Sequence, residues 1–171
     1  MKTYKPPVTR SAKALYGGLC LLLITLGIIS YTQDAELFVS IILGLFGILT
    51  LFILLIPYRI RYQLTDDSLV CRWIFGEKKI PYDTIEEVKH HDMEITSIRR
   101  LGISLIGGRF SSGDVGKFYA MFGGKREGLI ILSNSEDLYG GKIYLTPEDE
   151  DEFIRELKER TNAVFSLDRI V

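Results

Sequence analysis

The chain has 171 residues, of which 47% are apolar and 25% charged, and its formal net charge is -1. This length allows one domain of roughly 100 residues beside one or two membrane segments, and it excludes two large domains. The charge is unevenly spread, because residues 59–171 carry 17 basic and 20 acidic side chains. A domain of that sign argues against nucleic-acid binding.

Residues 1–13 are basic and lack acidic neighbours. The basic side chains are Lys2, Lys5, Arg10 and Lys13. Pro6 and Pro7 discourage regular structure until about Thr9, so this segment is predicted to be an irregular N-terminus.

Two apolar segments follow, residues 14–31 and 37–57, joined by the short loop 32–36. At about 1.5 Å per residue, each is long enough for a helix that crosses a bilayer core of roughly 30 Å. A cleaved signal peptide is the alternative for the first segment, but Ser30-Tyr31-Thr32 is a poor cleavage site. The pattern therefore predicts a transmembrane helical hairpin.

The loop between the two segments contains Asp34 and Glu36 but no basic residue, whereas both outer flanks are basic. The positive-inside rule then predicts a two-span protein of the cell membrane with both termini in the cytoplasm. Small residues within the spans predict close helix packing, within the hairpin or between protomers. These residues are Gly17, Gly27, Ser40, Gly44 and Gly47. Glycine is also common in membrane helices without such a role.

The pattern changes from helical to alternating after Pro57, because a proline pushes its preceding residue out of the helical region. Ile60, Tyr62 and Leu64 alternate with polar residues, and the alternation resumes at Leu69 after a polar turn. A strand hairpin is therefore predicted at the membrane, and another strand over residues 86–93. Cys71 lies in one of these strands and Cys20 in an apolar span, so a disulfide between them is implausible.

Five glycines between residues 99 and 117 predict a long, bent hairpin loop. Three further strands are predicted at residues 118–122, 129–132 and 142–145. A helix is predicted over residues 147–161, with Thr146 as N-cap and Pro147 in the first position. Phe153, Ile154 and Leu157 form its predicted buried stripe, and residues 163–171 are predicted to be a tail.

Short antiparallel strands closed by one C-terminal helix are typical of the pleckstrin-homology (PH)-like fold. Three stretches sharpen this: YQLTDDSLVCRWIFGEKKIPYDTIEEV, LGISLIGGRFSSGDVGKFYAMF and IYLTPEDEDEFIREL. They resemble the bacterial PH domain family that follows membrane hairpins in prokaryotes. The resemblance covers about residues 58–160 and implies a bent antiparallel barrel of about seven strands with a C-terminal helix. The resulting domain is expected over residues 58–162.

No residue pattern indicates catalysis, a cofactor or a metal site. His90 and His91 are adjacent on a predicted strand, so their side chains point to opposite faces. They cannot both bind one metal ion unless the strand bends. Basic residues near the membrane and along the glycine tract are candidates for contact with lipid or a partner. These candidates are Arg59, Arg61, Arg99, Arg100, Arg109 and Lys117.

The sequence thus predicts a non-enzymatic, membrane-anchored adaptor or scaffold whose PH-like domain binds protein partners or self-associates. The alternative is a module that recognises anionic lipid headgroups through the basic residues on its membrane-proximal face.

Overall fold

A computed structural model describes residues 2–32, 37–74, 76–92, 98–103, 107–122 and 125–167, with the backbone alone for 12, 37, 98–103 and 107. Two apolar helices lead into a mostly β domain that carries one further helix. The helices are α1 (Arg10–Thr32), α2 (Leu37–Leu55) and α3 (Glu150–Lys158). The strands are β1 (Lys2–Tyr4), β2 (Arg61–Leu64), β3 (Ser68–Trp73), β4 (Gly76–Pro81), β5 (Ile85–Asp92), β6 (Ile98–Ile103), β7 (Gly107–Ser112), β8 (Gly116–Met121), β9 (Glu127–Ser133), β10 (Lys142–Leu145) and β11 (Val164–Ser166).

Helices α1 and α2 pack against each other and expose large apolar side chains on their outer faces. Leu21 and Phe38, for example, are each 69% exposed. The stretches Lys13–Thr32 and Phe38–Arg59 are long and apolar enough to cross a membrane. Only 6% and 17% of their most apolar windows are buried, whereas a core helix of a soluble domain is mostly buried. Length and composition therefore suit a membrane, and a signal sequence near an N-terminus passes the same test.

The first sheet has the strand order β1-β2-β3-β4, and all its pairs are antiparallel. The predicted alternation of burial is confirmed for β2, where Tyr62 and Leu64 are fully buried between half-buried residues, whereas residues 68–71 of β3 are all buried. The prediction of irregular structure before Thr9 is wrong for β1. Proline restricts only its own position and the one before it, so the three residues of β1 can still pair with β2.

The second sheet has the order β11-β5-β9-β10-β8-β7-β6. Two of its pairs, β8 with β10 and β5 with β11, are parallel, so the prediction of a purely antiparallel sheet is wrong. Strand β10 lies between β9 and β8, which separates two strands that are consecutive in the chain. The expected C-terminal tail likewise contributes β11, because Phe165 packs on the main core beside β5.

The glycine tract forms strands rather than the predicted loop. β6 pairs with β7, and β7 pairs with β8, over most of residues 98–121. Ladder hydrogen bonds and the stacking of Phe110 on Phe118, at 5.8 Å between ring centroids, offset the entropic cost of glycine in a strand. The predicted strands at 118–122, 129–132 and 142–145 correspond to β8, β9 and β10.

Helix α3 buries Phe153, Ile154 and Leu157, as predicted. It begins at Glu150 with Asp149 as N-cap, so the predicted N-cap Thr146 is wrong. The reason is that the preceding backbone has other partners. The Thr146 N–H donates to the Tyr62 hydroxyl at 3.5 Å, and the Glu148 N–H donates to the Lys5 carbonyl at 2.8 Å.

The seven-stranded sheet carries an apolar cluster on each face. Leu129, Ile131 and Ile143 belong to the main core, which also receives β2, β3 and α3. Ile130 and Tyr144, which point the other way from β9 and β10, join a second cluster with the phenylalanines of β7 and β8. Among the described residues the two sheets are not closed into one barrel, so the barrel form stays a prediction.

Candidate functional site

The β domain is attached to the helices through a short 3-10 turn, Ile56–Arg59, that directly follows α2. Ile56 is 2% exposed and packs against Tyr16 of α1 and Ile53 of α2. Pro57 lies in the first turn, where its missing N–H costs nothing. Because the turn is packed against both helices, it joins the domain to the hairpin without a flexible linker.

Arg61 is held by the backbone of this junction. Its Nη1 donates to the Tyr58 carbonyl at 2.5 Å and to the Ile60 carbonyl at 2.7 Å. These bonds satisfy carbonyls at the end of a helical turn, where intrahelical donors are lacking. Arg61 is therefore a structural residue of the junction, whereas Arg59 is exposed on the same turn.

Strand β1 is a second attachment between the hairpin and the domain, and it precedes α1 by only five residues. Lys2 Nζ donates to Glu152 Oε1 at 2.8 Å and to Glu156 Oε1 at 2.9 Å. The buried ring of Tyr4 meets Phe153 edge to face at 5.2 Å. Strand β1 is thus bound to β2 on one side and to α3 on the other.

No sequence pattern indicates β1 or its contacts. Three residues, Lys2, Thr3 and Tyr4, are too few to display a strand period. Their partners lie about 150 positions further along the chain, and no local signal points to them.

The structure brings Arg109 and Lys117 to one exposed face of the β7–β8 hairpin. Arg109 pairs with Tyr119 and Ser111 with Lys117, so these four side chains share a face. The Arg109 guanidinium lies 5.3 Å from the centre of the Tyr139 ring, a cation–π arrangement. Arg99 and Arg100 lie on β6, and their side chains are outside the described part of the structure.

The predicted helix-packing residues fall into two groups. A Cβ added at Gly27 would lie 3.5 Å from the Leu43 Cβ, and one at Gly47 would lie 3.0 Å from Ile24 Cγ1. Both glycines therefore lie at the contact between α1 and α2, as does Cys20, whose Sγ is 3.5 Å from the Gly47 carbonyl. Added Cβ atoms at Gly17 and Gly44 would meet nothing within 4 Å, although the Gly44 nitrogen lies 3.6 Å from a Cβ built on Gly27 and so borders the contact.

Ser40 lies close to Gly27, since a Cβ on Gly27 would be 3.5 Å from the Ser40 carbonyl. It therefore faces the same contact between the two helices.

An open acidic cleft lies at the start of α3 and is lined by His90, Lys125, Arg155 and residues 148–152. His90 Nδ1 lies 2.8 Å from Glu150 Oε1, and Lys125 Nζ lies 3.7 Å from Glu150 Oε2. The Lys125 ammonium neutralises part of the acidic charge that begins the helix. The remaining carboxylates suit the positive end of the helix dipole.

His91 points away from His90, into the second apolar cluster. Its ring lies 6.4 Å from Phe118 and 6.1 Å from Tyr144 between centroids, and Nδ1 is 3.6 Å from Asp114 Oδ2. The two histidines therefore face opposite sides of β5. In the described part of the chain, no three His, Cys, Asp or Glu side chains are placed to hold a metal ion.

The two cysteines are free and buried, one in α1 and one in β3. Burial raises the pKa of the Cys71 thiol well above its ordinary value, so the thiol stays protonated and unreactive at neutral pH. Burial also raises the pKa of the Tyr62 hydroxyl, which donates to the Met121 carbonyl at 2.6 Å.

Comparison with known proteins gives a family for the β domain. No curated protein and no solved structure matches the chain. Residues 60–161, more than half of the chain, match the family model described as a bacterial PH domain. PH-like domains are in general non-catalytic binding modules, and no enzymatic family is indicated. Because the part of the chain from β2 to the end of α3 fits this model, the chain belongs to the bacterial PH domain family.

Proposed function

We propose that this chain is a membrane-anchored PH-like adaptor whose domain is held at the cytoplasmic face of the membrane, where it binds a protein partner or a second copy. The supporting observation is the pairing of β1 with β2. Because β1 pairs with β2, the N-terminus and the β domain share one side of any membrane. The chain then crosses an even number of times, as a hairpin of α1 and α2 does.

The basic flanks of the hairpin favour the cytoplasm as that shared side. Cleavage of α1 as a signal sequence would remove β1 from the sheet, which argues against the signal-peptide alternative. The two attachments, through β1 and through the 3-10 turn Ile56–Arg59, fix the orientation of the domain. A fixed orientation suits a scaffold, because its binding surface is presented in one direction without an entropic cost.

Charge favours a protein partner over a lipid ligand. The part of the chain that follows α2 has more acidic than basic residues, and an anionic membrane surface repels such a domain. The exposed carboxylates of Glu148 and Asp151 at the acidic cleft favour a partner with a basic surface.

The test is purification of the full chain in mild detergent, followed by native mass spectrometry. We expect a stoichiometric partner or a homo-oligomer, and we expect Glu148→Lys plus Asp151→Lys to reduce it. Glu86→Lys plus Glu136→Lys is the matched control, since both residues are exposed outside the cleft. Recovery of wild-type monomer alone would contradict the adaptor function. Equal recovery from both double variants would exclude the cleft as the binding surface.

Recognition of anionic lipid headgroups is the second candidate, favoured by the shared exposure of Arg109 and Lys117. In this case Arg109→Ala plus Lys117→Ala lowers the amount of anionic lipid that co-purifies with the full chain. Lys79→Ala plus Arg126→Ala removes the same charge elsewhere on the surface and serves as control. If both variants retain the wild-type amount of lipid, headgroup recognition at this face is excluded.

A further inference from the structure

Strand β3 ends at the side of the domain from which the helices emerge. β2 leads away from α2, beginning at Arg61, and β3 returns antiparallel with Arg72 opposite Arg61. Beyond Arg72 the chain therefore continues towards α2. Ile74 directly follows the last residue of β3, so it lies at this helix-proximal end.

This end of the domain exposes apolar surface. Among the described residues that follow α2, the large apolar side chains that are exposed are Tyr58, at 45%, Ile74, at 41%, and Val164, at 64%. Tyr58 and Ile74 both lie at the helix-proximal end, whereas Val164 belongs to β11 at the far edge of the other sheet. Trp73, beside Ile74, is half-buried and packs on Tyr119 at 5.9 Å between ring centroids.

Cationic side chains surround these apolar groups. Arg59 is exposed on the 3-10 turn, and Lys13 Nζ lies 5.9 Å from the centre of the Tyr58 ring. Arg72 is half-exposed and forms an ion pair with Glu77 at 2.8 Å, which is a weak interaction between two solvated side chains. Aromatic, aliphatic and basic side chains at one level match the composition of protein surfaces at the lipid interface.

We propose that Ile74, directly after β3, makes a third membrane contact, in which its side chain enters the lipid interface beside Tyr58 while Arg59 and Arg72 lie among the headgroups. The inference rests on the proposed function, because it requires α1 and α2 to span the bilayer. The lipid interface covers this surface, since the surface is continuous with the apolar hairpin through the 3-10 turn. Such a contact would fix the tilt of the domain without any headgroup-specific pocket.

Trp73 is the single tryptophan of the chain, so fluorescence can test the proposal on the full protein. In a Trp73→Phe background, Ile74→Trp, Leu45→Trp and Asp66→Trp each supply one reporter. Leu45 is 60% exposed on α2, and Asp66 lies in the β2–β3 turn at the opposite end of the same hairpin. Emission is compared in nanodiscs of phosphatidylcholine with and without bromine on the upper acyl chain.

We expect the reporters at positions 45 and 74 to lose emission in brominated lipid and the reporter at position 66 to keep it. Loss at position 45 alone would overturn the third contact and leave the membrane anchor intact. No loss of emission at any position would overturn both the third contact and the membrane anchor. Equal loss at positions 74 and 66 would also overturn the inference, because the domain would then lie on its side.

A second measurement uses the native Trp73 and avoids the background substitution. Wild-type Trp73 should lose emission in the brominated nanodiscs, because it neighbours Ile74. Ile74→Asp should reduce that loss, since a carboxylate is excluded from the interface, whereas Ile74→Leu should preserve it. Identical quenching in all three proteins would contradict the proposal.

Discussion

Lys2 connects the first strand of the chain to its last helix. Hydrogen bonds from Lys2 to Glu152 and Glu156 raise the pKa of the ammonium group above its ordinary value of 10.5. The bond from Lys2 in turn holds the pKa of Glu156 below its ordinary value of 4.5. One residue therefore couples the segment before α1 to helix α3.

These shifts predict a pH dependence of stability. The lowered pKa of Glu156 gives stability that is present above pH 4.5 and lost as the pH falls through the folded pKa. The raised pKa of Lys2 gives stability that is present below pH 10.5 and lost at higher pH. Lys2→Ala should thus lower the thermal midpoint in detergent at pH 7 and have a progressively smaller effect as the pH falls below 4.5. Lys5→Ala, which removes a nearby exposed charge, is the control, and an equal pH profile for both variants would contradict the account.

The fold requires glycine at position 140 because of the backbone conformation there. Its φ is +71°, and a Cβ there would collide with the Lys117 carbonyl of β8. Gly140→Ala should therefore lower the free energy of unfolding by about 1–3 kcal/mol. Gly113→Ala should change it by less than about 0.5 kcal/mol, because a Cβ at Gly113 meets nothing within 4 Å. Chemical denaturation of both variants tests this, and equal effects would contradict it.

At the scale of elements, the sequence predicted those whose pattern is local. Alternation of Ile60, Tyr62 and Leu64 indicated β2, and the apolar spacing of Phe153 and Leu157 indicated the buried face of α3. Elements defined by distant partners were missed. β1 depends on Glu152 and Glu156, and β11 depends on β5.

The glycine tract, which was predicted to be a loop and forms strands, was mispredicted for a different reason. Glycine disfavours strands through its backbone entropy, which is why a loop was predicted. The ladder between β7 and β8, supported by Phe110 and Phe118, outweighs that preference. The face shared by Arg109 and Lys117 follows from this ladder, so it could not be predicted from the sequence.

Strand β1 should be required for the stability of the β domain although it precedes the hairpin. Tyr4 is 5% exposed and packs against Phe153, so Tyr4→Ala should cost about 3 kcal/mol of unfolding free energy. Thr3→Ala, at an exposed neighbouring position, should have little effect. Limited proteolysis in detergent measures the difference, and equal resistance of the two variants would show that β1 contributes nothing.

At the scale of the molecule, the hairpin and the β domain are joined at two points, through β1 and through the 3-10 turn. The 3-10 turn Ile56–Arg59 follows α2 directly, and β1 is separated from α1 by residues 5–9. The hairpin and the PH-like domain were predictable from apolar length and from alternation. The double connection between them could not be predicted, because it depends on contacts of Lys2 and Ile56. These contacts are with residues that are distant in sequence or in another element.

The central claim is that the N-terminus and the β domain lie on one side of a membrane, with residues 33–36 on the other. Single cysteines at Thr3, Gln33 and Asp66 test it with a membrane-impermeant maleimide applied to intact cells that express the full chain. Labelling of the two native cysteines should be low, because Cys20 and Cys71 are buried. We expect Gln33→Cys to react in intact cells, and Thr3→Cys and Asp66→Cys to react only after lysis. Reaction of Asp66→Cys in intact cells, or opposite behaviour of Thr3→Cys and Asp66→Cys, would contradict the account.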